Sequence, residues 1–407
     1  MTKNACVLCR GCPESAIDSA RVETFLKING WNMVRDIKDA DLILFRACGL
    51  TQGQTEQSIQ VVKTIYSEKK RTARVIVWGC LPKIDPDALR TVYGGVTFGE
   101  KEISTLNEIL QAKTPIEEVT ANRVNQIFTP NRHGLRGGLA RAFDKLQIPT
   151  MDTLSHAHSI FRSKSIFQIK VSTGCLGNCS YCSTRISRGT LKSKSIDNIL
   201  GEFRNGLNKG FRYFGLLGTE VGAYGRDLGY TLVDLLAEMT KEGGNYKIGL
   251  RNINPFYLNE MFGELRPFFS RRKIWFLLSP AESGSDRILE LMCRKYRIEE
   301  FKRCIKTINE EFSDIFLRTQ LMVGFPTETE EDFEKSVDLL DYLRFDWVEA
   351  YKFSPRPGTI AAEMADQIPE KTKEDRYRRL LVKALMQRPR KKVKYLLQHI
   401  LNLEKRV

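Results

Sequence analysis

Residues 1–30 contain no apolar stretch of the kind a secretory leader needs, and no run in the 407-residue chain is long and apolar enough to span a bilayer. The chain therefore reads as cytoplasmic, with no membrane partner. Ten cysteines cannot persist there as structural disulfides, so they argue for metal or redox chemistry. The body also has little excess charge. Of the net +15, the segment Arg376–Val407 supplies +10 through eleven Lys or Arg against one Glu. Such a tail can steer an acidic partner such as RNA without identifying it. An apolar content of 42% and a charged content of 28% are those of a globular protein, and the length allows two or three domains.

Cys175, Cys179 and Cys182 stand at C-x3-C-x2-C spacing in Val171–Gly189, after a strand-like run, Ile166–Val171. Three thiolates so close on a Gly-containing loop can hold three corners of a cubane iron–sulfur cluster and leave its fourth iron open. Tyr181, between the last two, is placed to pack over a ligand on that iron. A zinc loop and disulfides are the alternatives. They are disfavoured because no second C-x2-C pair and no histidine follows nearby.

The N-terminal third alternates strand-like runs (Ala5–Leu8, Asp41–Phe45, Arg74–Trp78, Val96–Phe98) with helical ones (Ala16–Ile28, Glu56–Lys70, Asp85–Val92, Ile103–Leu110), which implies an open parallel α/β sheet. Cys12, Cys48 and Cys80 each fall just past the carboxyl end of one of these strands. In such sheets those ends share one rim, so three cysteines some thirty residues apart converge there, each beside a helix N-terminus that favours thiolate. This predicts a second three-cysteine cluster; the alternative is three unrelated buried residues. Cys6 and Cys9 complete a C-x2-C-x2-C with Cys12. Cys6 is read as a core residue and Cys9 as the better candidate for chemistry.

From Ile166 onward six strand-like runs, Ile166–Val171, Tyr213–Gly218, Tyr246–Arg251, Ile274–Ser279, Phe316–Gly324 and Trp347–Phe353, alternate with helical segments. They describe a partial (β/α)6 barrel, whose working loops gather at the strand carboxyl ends. Thr327 and Glu330 suggest a capping box for the last helix, Glu330–Leu343, and Cys293 and Cys304 read as packing residues. Residues 113–163, with Arg123, Arg132, Arg136, Arg141 and the turn-rich Thr129–Gly138, read as a linker. At the other end Val393, Leu396, Leu397, Ile400 and Leu401 recur at helical spacing, predicting a short basic C-terminal helix.

The cysteine loop closely resembles that of the radical S-adenosylmethionine (SAM) enzymes. The runs Cys12–Ser19, Arg46-Ala47-Cys48 and Trp78-Gly79-Cys80 resemble the N-terminal domain of the radical SAM methylthiotransferases. The resemblance implies that Cys12, Cys48 and Cys80 hold an auxiliary [4Fe–4S] cluster whose open iron carries the sulfur to be transferred. That family usually has Asn at Ser15 and Asn-Thr-Cys at Arg46–Cys48, changes that sit beside the ligands. Gly218-Thr219-Glu220 resembles the segment that holds the amino group of SAM. Ser279, Glu282 and Ser283, in Ser279–Asp286, resemble a ribose-side segment, and Gly324-Phe325-Pro326 the adenine-side turn. Tyr224–Asp227 and Ser354–Thr359 match family segments as well. The usual C-terminal TRAM barrel is not expected, because the tail is too short for it.

The expected organisation is an auxiliary-cluster domain at 1–112, the linker at 113–163, the barrel at 164–370 and a basic helical extension at 371–407. The resemblance implies an enzyme that cleaves SAM to a 5′-deoxyadenosyl radical and inserts sulfur or methylthio into an unactivated C–H bond. Its cofactors would be two [4Fe–4S] clusters and SAM. The substrate would be a peptide, a small molecule or a transfer RNA base, and the electron donor a flavodoxin or ferredoxin acting on a monomer. Two alternatives stay open: an auxiliary cluster that binds substrate or passes electrons without donating sulfur, and a non-catalytic iron–sulfur or RNA-binding protein.

Overall fold

A computed structural model describes residues 3–122 and 166–386. The linker features between Arg123 and residue 163, and the tail from Arg388 with its spaced apolar residues, lie outside the described residues. The described residues divide into two compact units, 3–122 with Ile186–Arg188, and 166–185 with 189–386. None of their helices is long and apolar enough to cross a membrane.

The first unit is a parallel five-stranded sheet in the order β2-β1-β3-β4-β5. Its strands are β1 (Asn4–Cys9), β2 (Asn32–Met33), β3 (Leu42–Ala47), β4 (Arg74–Gly79) and β5 (Val96–Phe98). The period-2 alternation of β3 explains why both faces are covered. Ile43 and Phe45 pack with Val61, Val62 and Ile65 of the helix Gln52–Glu68, while Leu42 and Leu44 pack with Val22, Phe25 and Leu26 of Pro13–Ile28. Strand β2, two residues long, has no sequence signal. Residues 113–122, expected to open the linker, are packed instead. Ile116 and Val119 join the core, and Arg21 donates to their carbonyls at 2.6 and 2.8 Å.

The second unit is a partial (β/α)6 barrel of six parallel strands in the order β13-β12-β11-β10-β9-β6. These are β6 (Ile166–Lys170), β9 (Tyr213–Leu217), β10 (Lys247–Leu250), β11 (Ile274–Leu278), β12 (Phe316–Val323) and β13 (Trp347–Lys352). A separate antiparallel pair, β7 (Ser172–Thr173) and β8 (Lys192–Ser193), closes the base of the cysteine loop. The helical segment over Asp286–Asn309 is broken into two helices, Asp286–Leu291 and Ile298–Glu311, parted where Cys293 takes a left-handed φ of 56°. The capping box is Thr329–Asp332, because Thr327 is itself left-handed (φ 65°) and does not cap. Glu370–Met386 forms a helix that buries Lys373, Arg376 and Leu380 within this unit.

Candidate iron–sulfur and SAM sites

The loop holding Cys175, Cys179 and Cys182 is fastened at both ends. Cys175 N–H donates to the Gly189 carbonyl at 3.1 Å, and Ser180 is tied to Met292 and Leu291 by its backbone and hydroxyl at 3.1 and 2.8 Å. Gly174 has φ +78°, and a Cβ on it would lie 2.0 Å from the Thr190 carbonyl oxygen, so only glycine lets the loop turn here. The segment Tyr224–Asp227 braces the strand beneath. Asp227 accepts from the Ser193 amide at 2.8 Å, Ser193 Oγ accepts from Gly225, and Tyr224 donates to the Lys194 carbonyl at 2.8 Å.

Around this loop the strand ends bring the remaining candidates together. Glu220 Oε1 accepts from the amides of Gly222 and Asn254 at 2.9 and 3.0 Å, and burial pushes its carboxyl up to about 7. Gly218 packs so closely that an added Cβ would meet Ser172 Oγ at 2.6 Å; Thr219 is partly exposed beside it. Glu282, left-handed at φ 63°, takes a hydrogen bond from Tyr181 and is raised by burial. The hydroxyls of Ser279 and Ser283 are engaged in holding the loop, Ser279 donating to the Ile253 carbonyl at 2.7 Å and Ser283 facing Ser336 at 3.4 Å. Gly324 turns with φ +75°, and Phe325, edge-on to Tyr181 at 6.5 Å, is followed by Pro326. Arg294, with no signal in the sequence, donates to the Pro280 carbonyl at 2.7 Å and lies 3.8 Å from Cys179 Sγ.

In the first unit Cys12, Cys48 and Cys80 follow β1, β3 and β4, three adjacent strands, and so share one rim. Cys48 donates to Gln54 Oε1 at 3.1 Å and Cys80 to Glu100 Oε1 at 3.2 Å; Cys12 Sγ lies 3.3 Å from Ser15 Oγ and 3.6 Å from Arg188. Without a metal, burial outweighs the neighbouring arginines and pushes Cys48 up to about 11 and Cys80 well above its ordinary value. Cys175 is likewise pushed up to about 12 and Cys182 upward. A soft metal must therefore displace protons to bind. Cys6 packs in the core, and Cys9 is buried on the opposite face of β1 near Ser19, Arg46 and Cys12, both raised by burial. Cys304 is buried, and Cys293 sits in the left-handed turn.

All ten cysteines are free, and among the described residues no three His, Cys, Asp or Glu side chains are grouped to hold a single metal ion. The donor sets suit a larger body: three sulfurs on one rim, and three on one loop. A Cβ on Gly177 would sit 3.3 Å from Cys175 Sγ and 3.9 Å from Cys179 Sγ, so the glycine keeps open the space between those two sulfurs. The residues fit a [4Fe–4S] cluster at each place.

Residues 169–340 match the radical SAM superfamily, and residues 4–98 match the uncharacterized protein family UPF0004. The chain is 31% identical to a probable threonylcarbamoyladenosine tRNA methylthiotransferase of Pyrococcus abyssi, over 87% of this chain and 77% of that one. It is 30% identical to a tRNA-2-methylthio-N(6)-dimethylallyladenosine synthase of Anaplasma marginale, over 93% and 80%. With the ribosomal protein uS12 methylthiotransferase RimO of Protochlamydia amoebophila it shares 28%, over 91% and 74%. Among solved structures, the radical SAM methyltransferase TsrM of Kitasatospora setae has the same fold, with a TM-score of 0.57 over 90% of this chain and 78% of that one at 15% identity.

Proposed function

This chain belongs to the radical SAM methylthiotransferases, and on that premise we propose that it transfers a methylthio group to an unactivated carbon of a modified adenosine in transfer RNA. Two [4Fe–4S] clusters and SAM supply, when bound, the reductive cleavage that makes a 5′-deoxyadenosyl radical and the sulfur delivered to the substrate carbon. The observation that carries the reading is the pair of three-cysteine sets, one on the rim of each unit's parallel sheet.

Cys175, Cys179 and Cys182 hold the SAM-binding cluster, and Cys12, Cys48 and Cys80 the auxiliary one. Glu220, kept in place by two backbone amides, pairs its carboxylate with the amino group of SAM. Glu282 and Tyr181 bound the ribose side, and the left-handed turn at Gly324 offers its backbone to the adenine alongside Phe325 and Pro326. Gly218 and Thr219 shape the methionine side, and Ser279 and Ser283 hold the Glu282 loop in position. The substrate assignment is supported by relatives named for transfer RNA adenosines and by the net charge of +15. A protein side chain, as the uS12 relative's name describes for that enzyme, is the competing acceptor. The electron comes from a flavodoxin or ferredoxin, and the protein works as a cytoplasmic monomer.

Anaerobic reconstitution tests this directly. The protein should take up about eight irons, cleave SAM under dithionite, and add methylthio to a nucleoside of transfer RNA detected by mass spectrometry after digestion. Methylthio appearing on ribosomal protein instead of RNA replaces the substrate assignment. SAM cleavage with sulfur transferred to neither removes the sulfur-donor role of the auxiliary cluster.

A further inference from the structure

The first unit buries a full positive charge beside its three cysteines. Arg46, the penultimate residue of β3, has no exposed surface. Its guanidinium donates to Ser15 and Glu100, lies 3.5 Å from Asp18 Oδ2 and sits 5.3 Å over the Trp78 ring. Two glycines make room for it. A Cβ on Gly79 would approach Arg46 Cγ to 3.0 Å, and one on Gly11 would approach Ser15 Oγ to 2.6 Å. A second arginine, Arg188, pairs with Glu14 and with Glu100 Oε2, the latter at 3.0 Å. Burying charge is costly unless it is paired, and surface pairing would have served stability more cheaply.

The group that the guanidinium serves is sulfur. Glu100 Oε1 accepts from both Arg46 and the Cys80 thiol, and Ser15 Oγ links Arg46 to Cys12 Sγ. Arg46 precedes Cys48 by two positions, and its charge acts on Cys9, Cys48 and Cys80 together. Each one-electron reduction adds a negative charge to a cluster, and a fixed cation in dry surroundings favours the state that carries more of it.

We infer that Arg46 is a positioning residue that raises the reduction potential of the cluster held by Cys12, Cys48 and Cys80, with Glu100 opposing it. This rests on the cysteine assignment proposed above. Ser15 and Arg46, two departures from the usual family residues, are in contact and act as one device: the small hydroxyl admits the guanidinium and passes its influence to Cys12.

A chain carrying Cys175→Ala, Cys179→Ala and Cys182→Ala retains the first-unit cluster alone, and its midpoint is read by dithionite titration with electron paramagnetic resonance. Arg46→Gln moves that midpoint to more negative potential, Arg46→Lys restores most of it, and Glu100→Gln moves it to more positive potential. In the reciprocal chain, with Cys12, Cys48 and Cys80 replaced by Ala, Arg46→Gln leaves the remaining cluster's midpoint in place. Midpoints that stay fixed in both single variants, or that shift in the same direction, overturn the inference. Where Arg46→Gln loses iron, the direction of the Glu100→Gln shift decides alone. A barrel-cysteine triple variant that binds no iron refutes the cysteine assignment itself, and the inference falls with it.

Discussion

Arg376, on the closing helix of the second unit, donates to Glu328 Oε2 at 2.9 Å, and Glu328 Oε2 in turn accepts from the Gly324 amide at 2.6 Å. Both side chains are buried. The last described helix is thereby wired to the turn proposed to meet the adenine of SAM.

Replacing Arg376 with Ala strands the Glu328 carboxylate in the interior, where burial already pushes it up to about 7. Breaking such a pair costs about 3–5 kcal/mol. Urea denaturation should show that loss, and SAM affinity should weaken with it because the Gly324 amide loses its anchor. An unchanged midpoint of unfolding would mean that the helix contributes nothing to the turn.

Gly174→Ala places a Cβ where the Thr190 carbonyl oxygen lies, at a φ of +78° that alanine adopts only with strain. The base of the cysteine loop cannot then close. Reconstituted protein should hold about four irons in place of about eight, with the first-unit cluster intact and SAM cleavage lost. Full iron content would show that the loop tolerates a different path.

Glu220 gives the pH dependence. Its folded value is about 7, raised by burial above the ordinary 4.5, so the folded chain keeps this carboxyl protonated through the intervening range. On its own account Glu220 favours the folded state at low pH and loses that contribution as pH rises through about 7. Ligand binding runs the other way, since a cationic amino group needs the carboxylate. SAM affinity of the cluster-loaded protein, measured by calorimetry, should rise about tenfold per pH unit below about 7 and level off above it. Glu220→Gln should bind more weakly with no such slope. A wild-type affinity independent of pH would remove Glu220 from the site.

Much of this architecture could be read from the chain because parallel strands buried on both faces announce themselves. Runs such as Leu42–Phe45 and Ile274–Leu278 are apolar without interruption, and cysteines beyond the carboxyl ends of parallel strands share a rim. A helix within 371–407 was expected, but the docking of Glu370–Met386 was not legible, because its sequence, EKTKEDRYRRLLVKALM, is mostly charged. It docks through Leu380, Lys373 and Arg376, and the Glu328 partner of Arg376 lies far away in sequence. The assembly of Arg46, Glu100, Asp18 and Ser15 was equally hidden, since four residues scattered over the first hundred carry no periodic signal. Only the departure from the usual family residues at Ser15 and Arg46 hinted at it.

The account stands on Cys12, Cys48 and Cys80 holding the cluster that gives up sulfur. The decisive measurement compares wild type with the chain carrying Ala at those three positions, both reconstituted anaerobically and given SAM, dithionite and transfer RNA. The account predicts that the variant keeps about four irons and still produces 5′-deoxyadenosine, while methylthio-nucleoside disappears from the digest. Methylthio-nucleoside formed by the variant at the wild-type level would contradict it.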